Sequence, residues 1–494
     1  MLFSSMIFLW AFLPAVILIY FLINVLPVKD GVLKVRLKNS FLLLASLFFY
    51  AWGGIYYLAI MIFTIIADYT GALLMDKAAE EKKRRLIMVG ILAVNIAILF
   101  FFKYFNMVIN IIEAVMAPGD RGVLASVFAL EGTGALGIPE IVLPIGISFF
   151  TFQAMSYVVD VYRRKCDVQK DVLDFALYIS LFPQLIAGPI VQYSDIEKQL
   201  RGRQECFDRF SAGVKRFCYG LAKKVMIANS LAECADSIWA SDIGSLGTAT
   251  AFLGAVCYTL QIYYDFSGYS DMAIGLGKMF GFEFRENFNY PYTSLSVREF
   301  WRRWHISLSS WFRDYVYIPL GGSRRGLKRT CINLFIVFLL TGFWHGANFT
   351  FIFWGLYYAV FLLVERLFLG KYLDKNPVKL LNIIYTFFVV MVGWIFFRSD
   401  DILQGFEFTG QLFAGAGSAE NSIMNFLSMK MLLVLPPALM LCGPVQRLLE
   451  KTYKKYSGNI AVRIADLGIQ AAFLLVSVVL IVSGTYNPFI YFQF

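Results

Sequence analysis

Only two histidines occur in the 494 residues, and charged side chains make up 16% of the chain, against about 25% in ordinary globular proteins. So little charge excludes a soluble multidomain protein, and the apolar composition excludes disordered and fibrous chains as well. Seven cysteines (Cys166, Cys206, Cys218, Cys234, Cys257, Cys331 and Cys442) form no C-x-x-C pair. That leaves neither a disulfide framework nor a metal knuckle, and they read as small apolar packers. There is no H-E-x-x-H, so no metal site is expected, and no G-x-S-x-G elbow. Neither Gly-Lys pair is a P-loop, since Met272 stands five residues before Gly277 and Glu365 five before Gly370. The internal repeat that many transporters carry is also missing.

What the chain has is apolar and aromatic surface. Hydrophobic residues reach 59% and aromatic residues 17%, with a mean hydropathy of +0.65. Runs near spanning length recur at 3–26, 54–75, 87–112, 142–162, 211–232, 249–277, 331–347, 349–369, 381–398, 428–446 and 465–485, with a shorter one at 40–52. They predict an all-α polytopic membrane protein with about 11–12 crossings, some of them re-entrant. The first run has no basic stretch before it and no small-residue cleavage site after it, so it reads as a retained helix.

The net charge of +10 follows from topology rather than from a nucleic-acid surface. Alternate connections at 28–39, 76–86, 163–171, 195–224, 278–330, 366–380 and 447–463 hold nearly all the Lys and Arg, whereas 113–141, 233–250 and 399–427 are acidic. By the positive-inside rule the basic set is cytoplasmic and both termini lie outside. Two segments break the pattern. Residues 172–194 are apolar but contain Pro183, Gly188 and Pro189, which predicts a re-entrant hairpin. Residues 287–322 mix aromatics with six charges, which predicts an amphipathic, partly inserted helix.

Both histidines follow tryptophan, as Trp304-His305 and Trp344-His345. His345 lies in an otherwise uncharged hydrophobic run, and an ionisable group held there marks a functional site by default. A neutral imidazole satisfied by a backbone carbonyl is the alternative for both. Gly342 and Gly346 flank His345 and allow close approach of backbone or ligand. Asp265 and Asp271 lie six residues apart, about 240° around a helix, so they share no face. Asp265 either holds a loop, orients a histidine or faces water. Asp68, Lys103 and Asp160 read as snorkelling or paired charges near membrane ends.

Five segments then carry a resemblance: LPIGISFFTFQAMSYVVDVYR (143–163), FPQLIAGPIVQYSDI (182–196), YYDFSGYSDMAIGLGKMFGF (263–282), FWRRWHISLSSWFRDYVYIPLGGSRRG (300–326) and TGFWHGANFTFIFWG (341–355). In order, between MLFSSMIFLW and PFIYFQF, they resemble the bacterial membrane-bound O-acyltransferase (MBOAT) family, in its alginate O-acetyltransferase membrane-subunit branch. The resemblance implies one membrane domain over 1–494 with a central tunnel and no bound cofactor. In that tunnel cytoplasmic acetyl-CoA, or another acyl thioester, meets an acceptor handled outside.

The family's principal histidine maps onto His345, the expected general base, and its second polar position onto His305. Trp344, Gly346, Trp304, Asn348 and Asp265 become candidate tunnel residues. Arg298, Arg302, Arg303 and Arg313 become candidates for the donor phosphates, although topology alone explains any one of them. The implied partners are a periplasmic or surface SGNH-like acetyltransferase, an exocellular polysaccharide and the lipid bilayer of a bacterial inner membrane, with no nucleic acid. The final hexapeptide resembles the acyl-carrying end of the small subunit in teichoic-acid D-alanylation, which makes Tyr491 a candidate acyl relay; interfacial anchoring explains the same aromatics. Two alternatives stay open: D-alanyl transfer to teichoic acid from a carrier-protein thioester, and a non-enzymatic transporter or flippase.

Overall fold

The computed structural model describes residues 1–117, 123–130, 134, 136–484 and 486–490, and every regular element among them is helical. The longer helices are α1 (Leu13–Leu22), α2 (Gly31–Ala51), α3 (Ile55–Lys77), α4 (Glu81–Met116), α5 (Ile147–Tyr162), α6 (Val172–Ser180), α7 (Phe207–Ala222), α8 (Asn229–Trp239) and α9 (Thr248–Met279). They continue as α10 (Val297–Arg303), α11 (Ile306–Phe312), α12 (Gly326–His345), α13 (Phe349–Val364), α14 (Lys379–Arg398), α15 (Met429–Leu441), α16 (Pro444–Tyr456) and α17 (Ile460–Ser483). Many starts are set by short polar side chains that take an orphan N–H of the first turn. Asp30 accepts from the Val32 N–H, Asp171 from Leu173, Ser296 from Glu299 and Asn348 from Thr350.

Seven helices among the described residues have the length and apolarity of a crossing, and eight if the bent pair α15–α16, angled by 68°, is one span. By length and apolarity alone this is fewer than the expected 11–12. The difference lies in α2, α5, α7 and α9, which the hydropathy pattern counted. Thirteen of the sixteen residues of α5 are buried, and α9 is buried along most of its length. Walled in by protein, α9 tolerates Asp265, Ser267, Ser270 and several glycines that a lipid-facing helix of the same length would not.

Glycines set how closely α7 and α9 approach. A Cβ on Gly220 would stand 2.6 Å from the Gly268 carbonyl oxygen, one on Gly268 2.8 Å from the Gly220 oxygen, and one on Gly213 2.6 Å from the Gly275 oxygen. Backbone on backbone leaves nothing flexible to give way. Gly268→Ala is therefore expected to cost about 1–3 kcal/mol, the usual range for overpacking, read as a lowered thermal midpoint of the detergent-solubilised protein.

Both unusual segments are broken into short helices. The chain leaves α6 at Leu181, makes a single helical turn at Phe182–Leu185, and runs on through buried non-helical residues to a further helix at Tyr193–Arg201. Gln184 Nε2 donates to the Tyr178 carbonyl at 2.6 Å, satisfying buried backbone where Pro183 interrupts the helix. Residues 297–317 form α10, α11 and a π-helical turn, with Phe300, Trp301, Trp304, Leu308, Trp311 and Phe312 buried while Arg298, Arg302 and Arg313 stay exposed. The cysteines are not uniformly packers, since Cys206 is exposed. Burial pushes the Cys166 thiol up to about 12.

Candidate active site

The site is built where two helices end. Twenty residues of α12 cover about 30 Å at 1.5 Å per residue, so His345, its last residue, stands a membrane's thickness from the basic run at 324–329. The helix stops because Gly346 turns to extended backbone. A Cβ there would meet the Phe351 ring at 2.2 Å, so glycine is what lets the chain turn tightly. Asn348 then caps α13: its Oδ1 accepts from the Thr350 N–H at 3.0 Å and its Nδ2 donates to the Asp400 carbonyl at 2.8 Å. Gly342 lets α13 pack against α12, since its Cβ would fall 2.5 Å from the Phe351 carbonyl oxygen.

His345 is 7% exposed. Its ring meets Trp344, Trp354 and Phe397 edge to face, with centroids 5.0, 4.9 and 5.1 Å away. Its Nδ1 is buried with no hydrogen-bond partner among the described residues. The alternative in which a backbone carbonyl satisfies that nitrogen is therefore not what the structure contains.

His305 occupies the break between α10 and α11 at φ +43°, a left-handed conformation that costs a non-glycine residue of order 1 kcal/mol or more. Asn287 holds it there. The Asn287 Oδ1 accepts from the Ser307 N–H at 3.2 Å and the Ser307 hydroxyl at 2.9 Å, and stands 3.2 Å from His305 Nδ1. The backbone N–H fixes this atom as the amide oxygen, so Nδ1 carries the imidazole proton and Nε2 presents the lone pair. That Nε2 is also buried without a partner among the described residues. The Trp344 ring links the two imidazoles, 5.0 Å from His345 and 6.1 Å from His305. Each imidazole thus has one buried nitrogen without a partner among the described residues, and only His345 borders a cavity.

A cavity of about 250 Å³ lies against His345, walled by Trp344, Lys103, Ile186 and the loop that leads into α5. A second, of about 300 Å³, is bordered by Gly346, Asn348, Phe351, Asn106 and Asn110. Lys103 and Leu143 belong to both walls.

The other sequence candidates fall in different places. Trp304 is buried among Phe288, Phe300 and Trp394 and borders neither cavity. Asp265 neither faces water nor orients a histidine. It is 1% exposed, pairs with Lys224 at 2.6 Å and accepts from the Ile490 N–H at 2.9 Å, so it holds the C-terminal tail. Arg298 and Arg302, four residues apart, are exposed on one face of α10. Arg303 is committed to Glu299 at 2.5 Å and Arg313 to Asp314 at 2.8 Å, so the four arginines do not form one free basic surface. Tyr491 lies outside the described residues.

Three further residues stand at the site: Asn287 and Ser307, which the sequence does not mark, and Lys103, expected to snorkel or pair. No spacing rule points to the first two. Lys103 carried a signal, because it is one cation inside FFFKYFN, and it turns out neither to snorkel nor to pair with a carboxylate among the described residues. It is buried, and it donates to the Trp344 carbonyl and to Ser148 Oγ, the latter at 3.4 Å.

In this multi-helix membrane protein one imidazole, His345, stands at a cavity beside a broken helix end, and the second, His305, lies across the Trp344 ring from it. The profile of the membrane-bound O-acyltransferase (MBOAT) family matches residues 164–399, and the chain belongs to that family and is an O-acyltransferase. It is 42% identical over 418 residues to the probable alginate O-acetylase AlgI of Pseudomonas putida, covering 84% of this chain and 80% of that protein. It is 34% identical over 432 residues to the peptidoglycan O-acetyltransferase of Helicobacter pylori, covering 81% and 78%. Against the teichoic acid D-alanyltransferase of Bacillus subtilis it is 28% identical over 273 residues, covering 51% and 68%.

Proposed function

We propose that this protein moves an acetyl group from cytoplasmic acetyl-CoA across a bacterial inner membrane towards hydroxyls of an exocellular polysaccharide, with His345 as general base. One observation carries the reading: an imidazole with an unpaired, buried nitrogen borders a cavity and is screened by three aromatic rings. A thioester is already activated, so the enzyme need only hold it, remove the hydroxyl proton and stabilise the oxyanion. Imidazole is suited to taking and returning that proton. His305, with its proton fixed on Nδ1, offers a second lone pair on the other side of Trp344. Arg298 and Arg302, on the basic and hence cytoplasmic side, are left to attract the donor phosphates.

The relatives named for acetyl transfer to alginate and peptidoglycan match about four-fifths of this chain, and the D-alanyltransferase about half. This favours acetyl over D-alanine, and a polysaccharide over a membrane alcohol. The charge pattern places both termini outside, where an SGNH-like partner would complete O-acetylation of the polymer and where Tyr491 would be available to relay the acyl group.

The test is the identity of base-labile esters released from envelopes of cells with and without the gene. Acetate that disappears with the gene is the expected result. Loss of D-alanine instead would replace the donor, and unchanged esters would refute the reading.

A further inference from the structure

We propose that Lys103 stabilises the oxyanion of the acyl-transfer step; this rests on the reading of His345 as the base. A buried lysine with no carboxylate partner among the described residues is costly and needs a reason. Capping the end of α12 is one candidate, because the last carbonyls of a helix lack partners and favour a cation. Lys103 does take the Trp344 carbonyl. The neighbouring carbonyl of Phe343, however, is taken by the Tyr104 hydroxyl, a neutral donor from the next residue of the same helix. Capping here is thus accomplished without charge, and the charge at position 103 is surplus to it.

The cavities supply a use for that charge. An ammonium has three N–H donors. Among the described residues two go to the Trp344 carbonyl and Ser148 Oγ, which leaves one. Lys103 borders both cavities, and His345 borders the first of them. The cation also lies 5.7 Å from the Trp344 ring centroid, next to the histidine in sequence. A carbonyl held in this space has the base and the cation in the same walls.

The step balances with these groups. The acceptor hydroxyl oxygen bonds to the acyl carbon as His345 takes its proton, and the carbonyl π pair moves onto oxygen, where the free Lys103 N–H donates to it. Collapse restores the C=O, breaks the C–S bond, and the leaving thiolate takes the proton back from His345. Charge appears on the carbonyl oxygen only in the middle of this sequence, so a fixed cation in a dry cavity acts selectively there.

The experiment uses the full-length protein in envelope vesicles that retain their own glycan and exported proteins. Acetyl-CoA is supplied on the cytoplasmic face, and thiol release and glycan-bound acetate are measured together. Lys103→Met is expected to lower kcat about 100-fold, the usual effect of removing one oxyanion donor, with the KM for acetyl-CoA nearly unchanged. Lys103→Gln, which keeps a neutral donor but no charge, should stay well below wild type, and Lys103→Arg, which keeps the charge, should exceed both Gln and Met. Gln matching Arg would show that the charge is not used and overturn the proposal. So would wild-type kcat in Lys103→Met, or a change confined to KM. Should Lys103→Met fail to fold, the Gln and Arg pair still decides. Wild-type vesicles that release no thiol beyond vesicles lacking the protein would refute acyl transfer itself, and the role of Lys103 with it.

Discussion

Replacing His345 with alanine is expected to reduce the acyl-transfer rate by about 10²–10⁴-fold, the range associated with losing a general base. The loss should fall on kcat, because the imidazole takes its proton only in the transition state. Folding should be spared. His345 is the last residue of α12, its Nδ1 makes no hydrogen bond among the described residues, and its neighbours are aromatic rings that close on one another, Trp354 lying 5.2 Å from Phe397. The check is glycan-bound acetate in cells expressing wild type or His345→Ala at matched levels, together with thermal midpoints of the two purified proteins. A variant as stable as wild type but without transfer supports the assignment, and one that retains transfer refutes it. His305→Ala should differ: removing a left-handed residue that Asn287 and Ser307 grip disturbs the α10–α11 break, so stability should fall along with activity.

The contrast between these two histidines shows what the sequence discloses. Their scarcity, their tryptophan neighbours and the ordered segments around them marked both residues and the helical membrane class. The environment of each was hidden, because it comes from residues distant in the chain: Asn287 for His305, and Lys103 with the 142–149 loop for His345. The arginines differ, because their partners are local. A run of basic residues in 298–313 reads as a patch, but Arg303 and Arg313 each have an acid within reach in the folded chain, at Glu299 and Asp314. The expected crossing count exceeds the seven or eight long apolar helices because α5 and α7 have only 16 residues each, while α2 and α9 carry polar and charged groups, which in α9 the surrounding protein tolerates. Lys103 was legible as a lone cation in an apolar run. Reading it as a snorkelling side chain discarded the stronger rule that an intramembrane charge marks function.

Asp265→Ala is expected to cost about 3–5 kcal/mol, because removing one partner of a buried ion pair leaves the other uncompensated. Lys224 is 2% exposed, and its Nζ lies 2.6 Å from Asp265 Oδ1 while also donating to the Pro488 carbonyl. Asp265 Oδ2 accepts from the Ile490 N–H. The pair thus serves two purposes, neutralising a charge between α9 and the π-helical turn Lys223–Ala228 that follows α7, and fastening residues 488–490 to the bundle. Phe489 packs 4.8 Å from Tyr269, and Asn487 is held by Ser4 and Asn229, so the tail has further anchors. Its release should therefore be partial at low temperature and complete only near unfolding. Asp265→Leu combined with Lys224→Met separates the two purposes. An apolar pair of similar volume is often no less stable than the ions it replaces, so the double variant should recover most of the thermal midpoint. It cannot restore an acceptor for the Ile490 N–H. A C-terminal tag should therefore stay as open to carboxypeptidase in the double variant as in Asp265→Ala. Protection of the tag in the double variant would mean that Phe489 and Asn487 hold the tail unaided, and the clamp role of Asp265 would be refuted.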